Sequence, residues 1–331
     1  MGLFPEWVGS ALMLAAAAGV TLWTAGAVYY DVCGGARWGR AVAAAWVVAV
    51  VVAVLVWQPL WQPVAALLGV VAVFLVWWFG QRPRHDRDWD PAVAVLPRAV
   101  RDGDTVTVEH VRNFEYRSPT DFDARYETRT YRLANLRGVD IVFFNWGSPW
   151  MSHPVMVFDC GPDGRLCFSI EVRYRRGQDY SVVRSLFRQQ EMIVVAADER
   201  DVILRRTKFE PRQAAHLYRL TTTPDEVRTA FLDYVGMVNR IHARPRWYHG
   251  VCANCTTTYY RLPNSRWRLD WRVIANGRLD EALYADGRLD RGVPFADLRR
   301  AAYLTDVTNV TPEAGFGDHL RRELERRRHG H

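Results

Sequence analysis

From Trp7 to Tyr30 the chain has no charged residue, and this run constrains the fold more than any other feature of the 331-residue sequence. At ~1.5 Å rise per residue, a helix of that length crosses a hydrocarbon core ~30 Å thick. Charge is absent again between Arg40 and Arg82, but Gln58, Pro59, Gln62 and Pro63 break that stretch into Ala41–Trp57 and Val64–Gly80. Three membrane spans are therefore expected, over 7–30, 41–57 and 64–80. Trp57, Trp61, Trp77 and Trp78 fall at the segment ends, where amphipathic rings favour the headgroup region. Core helices are the alternative, and three in succession of this length argue against it. A cleaved leader fits poorly too, because no basic segment precedes Trp7 and more spans follow. The expected organisation is a transmembrane anchor over 1–81, a charged, proline-bearing juxtamembrane linker over 82–100 and one α+β soluble domain over 101–331.

With three spans, the loop holding Arg37 and Arg40 lies on the same side as Arg82, Arg84, Arg87 and the soluble domain. The other side has no Arg or Lys, so counting positive charge places the soluble domain in the cytoplasm. The net charge of +7 is carried almost wholly by arginine, Lys208 being the only lysine. These arginines are scattered rather than gathered on one stripe beside stacking aromatics, so no nucleic-acid partner is expected. A basic domain tethered to a bilayer suits anionic headgroups. Five cysteines give no even disulfide framework, and the compartment cannot be read from them.

Strand-like alternation is expected at Thr105–Val111, Arg129–Leu133, Val139–Phe144, Met192–Ala197, Val202–Arg206 and His216–Leu220. Val155–Asp159 and Leu166–Arg173 read as a hairpin about Gly161-Pro162-Asp163-Gly164. With Gly164 as a bulge, Gly161 faces Arg165 and His153 lies opposite Arg173, with Glu171 diagonal on the same face; a four-residue loop would separate them. A helix starts at Thr223, with Pro224, Asp225 and Glu226 in its first turn. Shorter helices are expected at Thr256–Leu262, ended by Pro263, and at Leu279–Leu283, Phe295–Tyr303 and Leu320–Arg328.

His249, Cys252 and Cys255 have plausible metal-ligand spacing, and Cys-x2-Cys also suits a dithiol, but no second pair supplies a fourth zinc ligand. Alternatively, Cys255 alone is a nucleophile at a helix start, where backbone N–H groups favour the thiolate and supply oxyanion donors. A buried, inert thiol is the plainer reading of Cys255 by itself. His153 is the histidine placed to act as its base, with Glu171 on the other ring nitrogen; periodicity alone favours a structural strand histidine with a solvated glutamate. Pro154 implies that this strand starts or lies at an edge there.

A longer pattern adds to these readings. Asp86 to Pro91, Val111 to Arg117, Tyr126 to Tyr131, Asn145 to Pro149, Ser152-His153, Phe168 to Glu171, Asp179 to Ser181, Phe187-Arg188, Glu191, Asp198 to Asp201, Leu217 to Leu220, Arg244-Pro245, Asn254 to Thr257 and Leu279 to Tyr284 resemble, in order, the bacterial Lnb N-terminal periplasmic domain family. The resemblance implies a domain outside the cytoplasm, anchored in the bacterial inner membrane, with the family's Cys and His blocks on Cys255 and His153. It sets aside the charge count in favour of the periplasm. It also implies lipoprotein N-acyltransferase-like activity: an acyl chain passes from a phospholipid through Cys255 to the amine of a lipoprotein acceptor, with no cofactor or metal. The order of His strand, Glu171 strand and Cys helix is similar to circularly permuted papain-like enzymes. Cys252 and Pro154 depart from the family pattern. A cysteine peptidase or cell-wall amidase with the same dyad, and a non-enzymatic binding protein, are the rival expectations.

Overall fold

The computed structural model describes residues 6–146, 148–210, 213–260, 272, 276–308 and 315–328. Leu262 and Pro263, expected to end one short helix, lie outside the described residues. The chain divides into two compact units. The first holds residues up to His85 together with Tyr180–Glu191 and Arg246–Gly250, and the second holds the remainder.

In the first unit, α1 (Glu6–Ala27) continues into a π-helical turn, Val28–Val32, followed by α2 (Gly39–Val56) and α3 (Trp61–Gly80). The segments Trp7–Val32, Gly39–Val56 and Trp61–Gly80 are long and apolar enough to cross a membrane. Helix α2 stops just ahead of Pro59, and Pro63 sits in the first turn of α3, where a missing N–H costs nothing. Ala17, Leu67 and Val71 form the buried seam between helices, with Trp46 packed against it. Trp46 Nε1 donates to Thr24 Oγ1 at 2.8 Å, so the indole's polar group is satisfied away from water. Gly39 lies so close to Tyr29 and Cys33 that a β-carbon there would sit 2.6 Å from Cys33 Cβ.

The second unit is built on a sheet ordered β1 (Arg98–Asp102), β2 (Thr105–Arg112), β9 (Glu191–Ala197), β8 (Arg165–Arg173), β7 (Ser152–Asp159), β6 (Gly138–Asn145) and β10 (Ala214–Arg219), with β5 (Tyr126–Arg132) also on β2. The short β3 (Glu115–Tyr116) and β4 (Phe122–Asp123) pair separately. One face of the sheet, bearing Val142, Phe144, Val155, Val157, Cys167 and Leu217, packs beneath α4 (Glu199–Leu204), α9 (Thr305–Thr308) and α10 (Phe316–Arg328). On the other face, Phe158 and Phe168 meet Phe231 and Tyr234 of α5 (Pro224–Ala243). Helix α5 starts at a capping box between Thr223 and Glu226, as its sequence requires. The short helices α6 (Cys255–Tyr260), α7 (Leu279–Ala285) and α8 (Phe295–Ala301) complete this mixed α/β unit.

One expected strand is a helix. Val202–Arg206 lies across α4 and the π-helical turn Arg205–Phe209. Its apolar run suits a strand, but Asp198 just before it accepts a hydrogen bond from Arg200 N, and Glu199 and Asp201 occupy the first turn. Cap and charge outweigh β-propensity here. Within the segment read as a linker, Trp89 bridges to Arg175 and its ring carries the Arg173 guanidinium at 4.3 Å.

Candidate active site

His153 is the second residue of β7, opposite Phe144 on β6. Its place across from β8 is set by the hairpin turn. Asp159 pairs with Arg165 and Val155 with Ser169, which continued by two residues sets His153 against Glu171. The expected register, with His153 opposite Arg173, is therefore displaced by two residues. The loop holds Cys160–Gly164, because Gly161 (φ 57°) as well as Gly164 (φ 87°) adopts positive φ and Cys160 N bonds Gly164 O. A displacement of two preserves side-chain alternation, so His153 and Glu171 still share a face. Pro154 marks the place where the ladder to β8 has ended, yet β7 is an interior strand rather than an edge.

Glu171 does not hold the ring directly. Ser169 Oγ lies 2.7 Å from His153 Nε2 and donates to Glu171 Oε1 at 2.7 Å, whereas the direct His153–Glu171 separation is 3.8 Å. Arg206 Nη2 donates to the same carboxylate oxygen at 2.7 Å, and its guanidinium lies 5.0 Å over the Phe144 ring. Burial alone would raise the Glu171 pKa, but Arg206, then His153 and Arg112, hold it well below the usual carboxylate range. Burial, reinforced by Arg206, pushes the His153 pKa down to about 3.

These charges fix the tautomer. An ionised carboxylate only accepts, so Ser169 donates to Glu171 and must accept from His153 Nε2–H. The neutral imidazole then presents an unprotonated Nδ1, the atom that takes a proton from an acid. Arg112 is clamped behind this group by Asp201 at 2.8 Å, and Asp201 also accepts from Phe114 N at 2.6 Å.

Cys255 opens α6, which packs against β7 and β8. Its thiol is buried, with Sγ 3.8 Å from Thr256 Oγ1. Asn254 caps the helix: its Oδ1 accepts from Thr256 N at 2.9 Å and Thr257 N at 2.8 Å. Those two amides are committed to the cap, which removes them from the oxyanion donors expected at this helix start. Thr256 Oγ1 accepts from Asn276 Nδ2 at 2.6 Å, and Asn276 Oδ1 accepts from Ser152 N at 2.7 Å. A chain of polar contacts thus joins the residue after Cys255 to the residue before His153. Gly277 permits it, since a β-carbon there would lie 2.1 Å from Pro149 O. Cys252 is exposed.

Sequence reasoning gave no role to Ser169, Arg206 or Asn276. Ser169 had a signal, because it precedes Glu171 by two residues on one strand face. Arg206 had none once its segment was read as a strand.

Residues 122–277 match the family model of the Lnb N-terminal periplasmic domain. Over those residues the chain is similar to that family. The Lnb match encloses His153, Ser169, Glu171, Arg206, Cys255 and Asn276, while the resembling stretches at Asp86–Pro91, Val111–Arg117 and Leu279–Tyr284 fall outside it. The Lnb description and the three apolar helices together are those of a membrane protein with a periplasmic domain. No curated protein and no solved structure matches the chain.

Proposed function

We propose that the protein is a membrane-anchored cysteine acyltransferase of the bacterial inner membrane, with Cys255 as nucleophile and His153 as base. The observation that carries the reading is the polar chain His153–Ser169–Glu171–Arg206, which holds a neutral imidazole with its proton on Nε2. As the Cys255 thiol attacks the ester carbonyl of a phospholipid, its proton passes to His153 Nδ1. The ester C–O bond breaks, His153 protonates the leaving lysophospholipid oxygen, and an acyl thioester remains. The amine of a lipoprotein acceptor then attacks the thioester, transfers a proton to His153 and releases the Cys255 thiol. The order of His strand, Ser/Glu strand and Cys helix supports a circularly permuted papain-like arrangement. With a peptide amide as acyl donor, an amine as leaving group and water as acceptor, the same residues make a cysteine peptidase or amidase.

The test is intact-protein mass after incubating the purified full-length protein with phospholipid. We expect a hydroxylamine-sensitive gain of one acyl chain, absent from Cys255→Ser. Labelling of Cys255 by a peptide electrophile but not by phospholipid would favour the peptidase or amidase.

One observation favours a non-enzymatic, binding role. By strand alternation Ser152 points to the sheet face opposite His153, and the start of α6 is tied to Ser152. If Cys255 stays on that side, the two side chains share no proton. Alkylation rate against pH separates the cases: in a dyad, His153→Ala shifts the Cys255 profile, whereas in a binding protein it leaves the profile unchanged.

A further inference from the structure

Within the first unit, the segment Tyr180–Glu191 is fastened to the ends of two spans. Phe187 fills a notch left by Gly26, where a β-carbon would meet its ring at 2.3 Å, and stacks on Tyr30 with ring centroids 5.1 Å apart. The Asp31 carboxylate accepts from Gln189 Nε2 at 2.7 Å, from Arg188 N at 3.1 Å and from Trp78 Nε1 at 2.7 Å. Arg188 Nη1 bonds Gln81 O at 2.6 Å, and its guanidinium lies 4.2 Å over the Trp78 ring. The same cation lies 5.9 Å over Trp247 of the strip Arg246–Gly250. All of these partners sit where α1 and α3 end, among the aromatic rings that mark a bilayer boundary.

Ahead of the clamp the same segment carries an exposed turn, with Val182, Val183 and Arg184 exposed. Ser181 Oγ accepts from Arg184 N at 3.3 Å, and Ser185 Oγ donates to Val182 O at 2.6 Å, closing one helical turn. Gly250 N bonds Ser185 O at 3.0 Å, and Gly250 leaves no room for a β-carbon against Ser185 Oγ. A turn braced in this way turns outward Val182, 48% exposed, and Val183, 53% exposed, followed by the exposed Arg184. Two adjacent exposed valines beside a cation, held at the level where the spans end, match the chemistry of a lipid interface, with an acyl boundary below and phosphates above.

We propose that the Ser181–Leu186 turn is a membrane-dipping element whose Val182 and Val183 enter the phospholipid interface on the side where α1 and α3 end. The occupant is the bilayer, in continuity with the lipid-facing surface of the spans. The proposal does not depend on the acyltransferase reading.

A photoactivatable benzophenone amino acid placed at position 182 or 183 of the full-length chain tests it, in phospholipid nanodiscs and in a Cys255→Ser background that cannot carry an acyl thioester. Position 76, exposed on α3, is the lipid-facing control, and position 100, exposed on β1, is the aqueous control. After irradiation, we expect an intact-mass gain of one whole phospholipid at 182 and 183, in yield comparable with position 76 and several-fold above position 100. Yields at both valines no higher than at position 100, with position 76 labelled, would overturn the proposal. So would a protein-sized adduct in place of lipid when the same chains are irradiated in native membranes. The readout needs no turnover, so its failure leaves the Cys255 chemistry untouched.

Discussion

Ser169 decides which nitrogen of His153 carries the proton, and Arg206 keeps Glu171 charged, so that Ser169 donates to it. Two outcomes follow at the scale of the residue. Arg206→Ala leaves a buried carboxylate without its cation, which costs roughly 3–5 kcal/mol, and pairing it with Glu171→Gln recovers much of that loss. Thermal unfolding of the full-length protein in detergent measures both. The second outcome concerns pH. His153 binds its proton at about 3 in the folded chain but at 6.5 in its ordinary state, so between those values the unfolded chain holds more protons. Stability therefore rises with pH across that window and is lost as pH falls from 6.5 toward 3, by an amount on the order of a few kcal/mol. His153→Gln removes that part of the slope. If the variant keeps the wild-type slope, His153 is not held neutral. The placement of Cys255 at a helix start and of His153 at a strand start was legible in the sequence, because local residues set both. Ser169 and Arg206 were not, because a serine among strand residues and an arginine among many gain their meaning only from what folds against them.

At the scale of the element, turns and caps did more than propensity. The hairpin about Pro162-Asp163 formed where its residues demanded, but its loop took in Cys160 and Gly161, and two residues of register moved with it. The α4 segment went the other way: Val202 to Leu204 read as strand, and the Asp198 cap made it helix. Lengthening a hairpin loop by a residue or two costs little, so sequence fixes the kind of turn more firmly than its length. The seat of Tyr180–Glu191 gives the prediction that belongs here. Gly26→Leu drives a side chain into the space of the Phe187 ring and costs roughly 1–3 kcal/mol. Phe187→Ala in the same chain relieves the clash, so a double-mutant cycle on unfolding yields a favourable coupling between the two changes. Additive losses would mean that the wedge does not seat against α1.

For the whole molecule the open question of sequence was the side of the membrane. The loop arginines argued for the cytoplasm, and the Lnb match carries a periplasmic description. Alkaline phosphatase fused after the last residue, active only outside the cytoplasm, is expected to be active in a bacterial host, and activity from a β-galactosidase fusion instead would reverse the orientation. By itself the sequence determined the three long apolar helices, the hairpin of β7 and β8, the long helix α5 and the likeness to the Lnb family. Each of those is written in a contiguous run, because hydropathy, alternation, capping residues and block order act over neighbouring residues. Tertiary structure alone decided that Arg206 reaches Glu171 from the π-helical turn after α4, that Ser169 stands between His153 and Glu171, and that Asn276 ties the α6 start to Ser152. Ser169 to Glu171 apart, those contacts join residues sixteen or more positions apart, and a buried polar group takes whichever partner the packing of distant elements brings within reach.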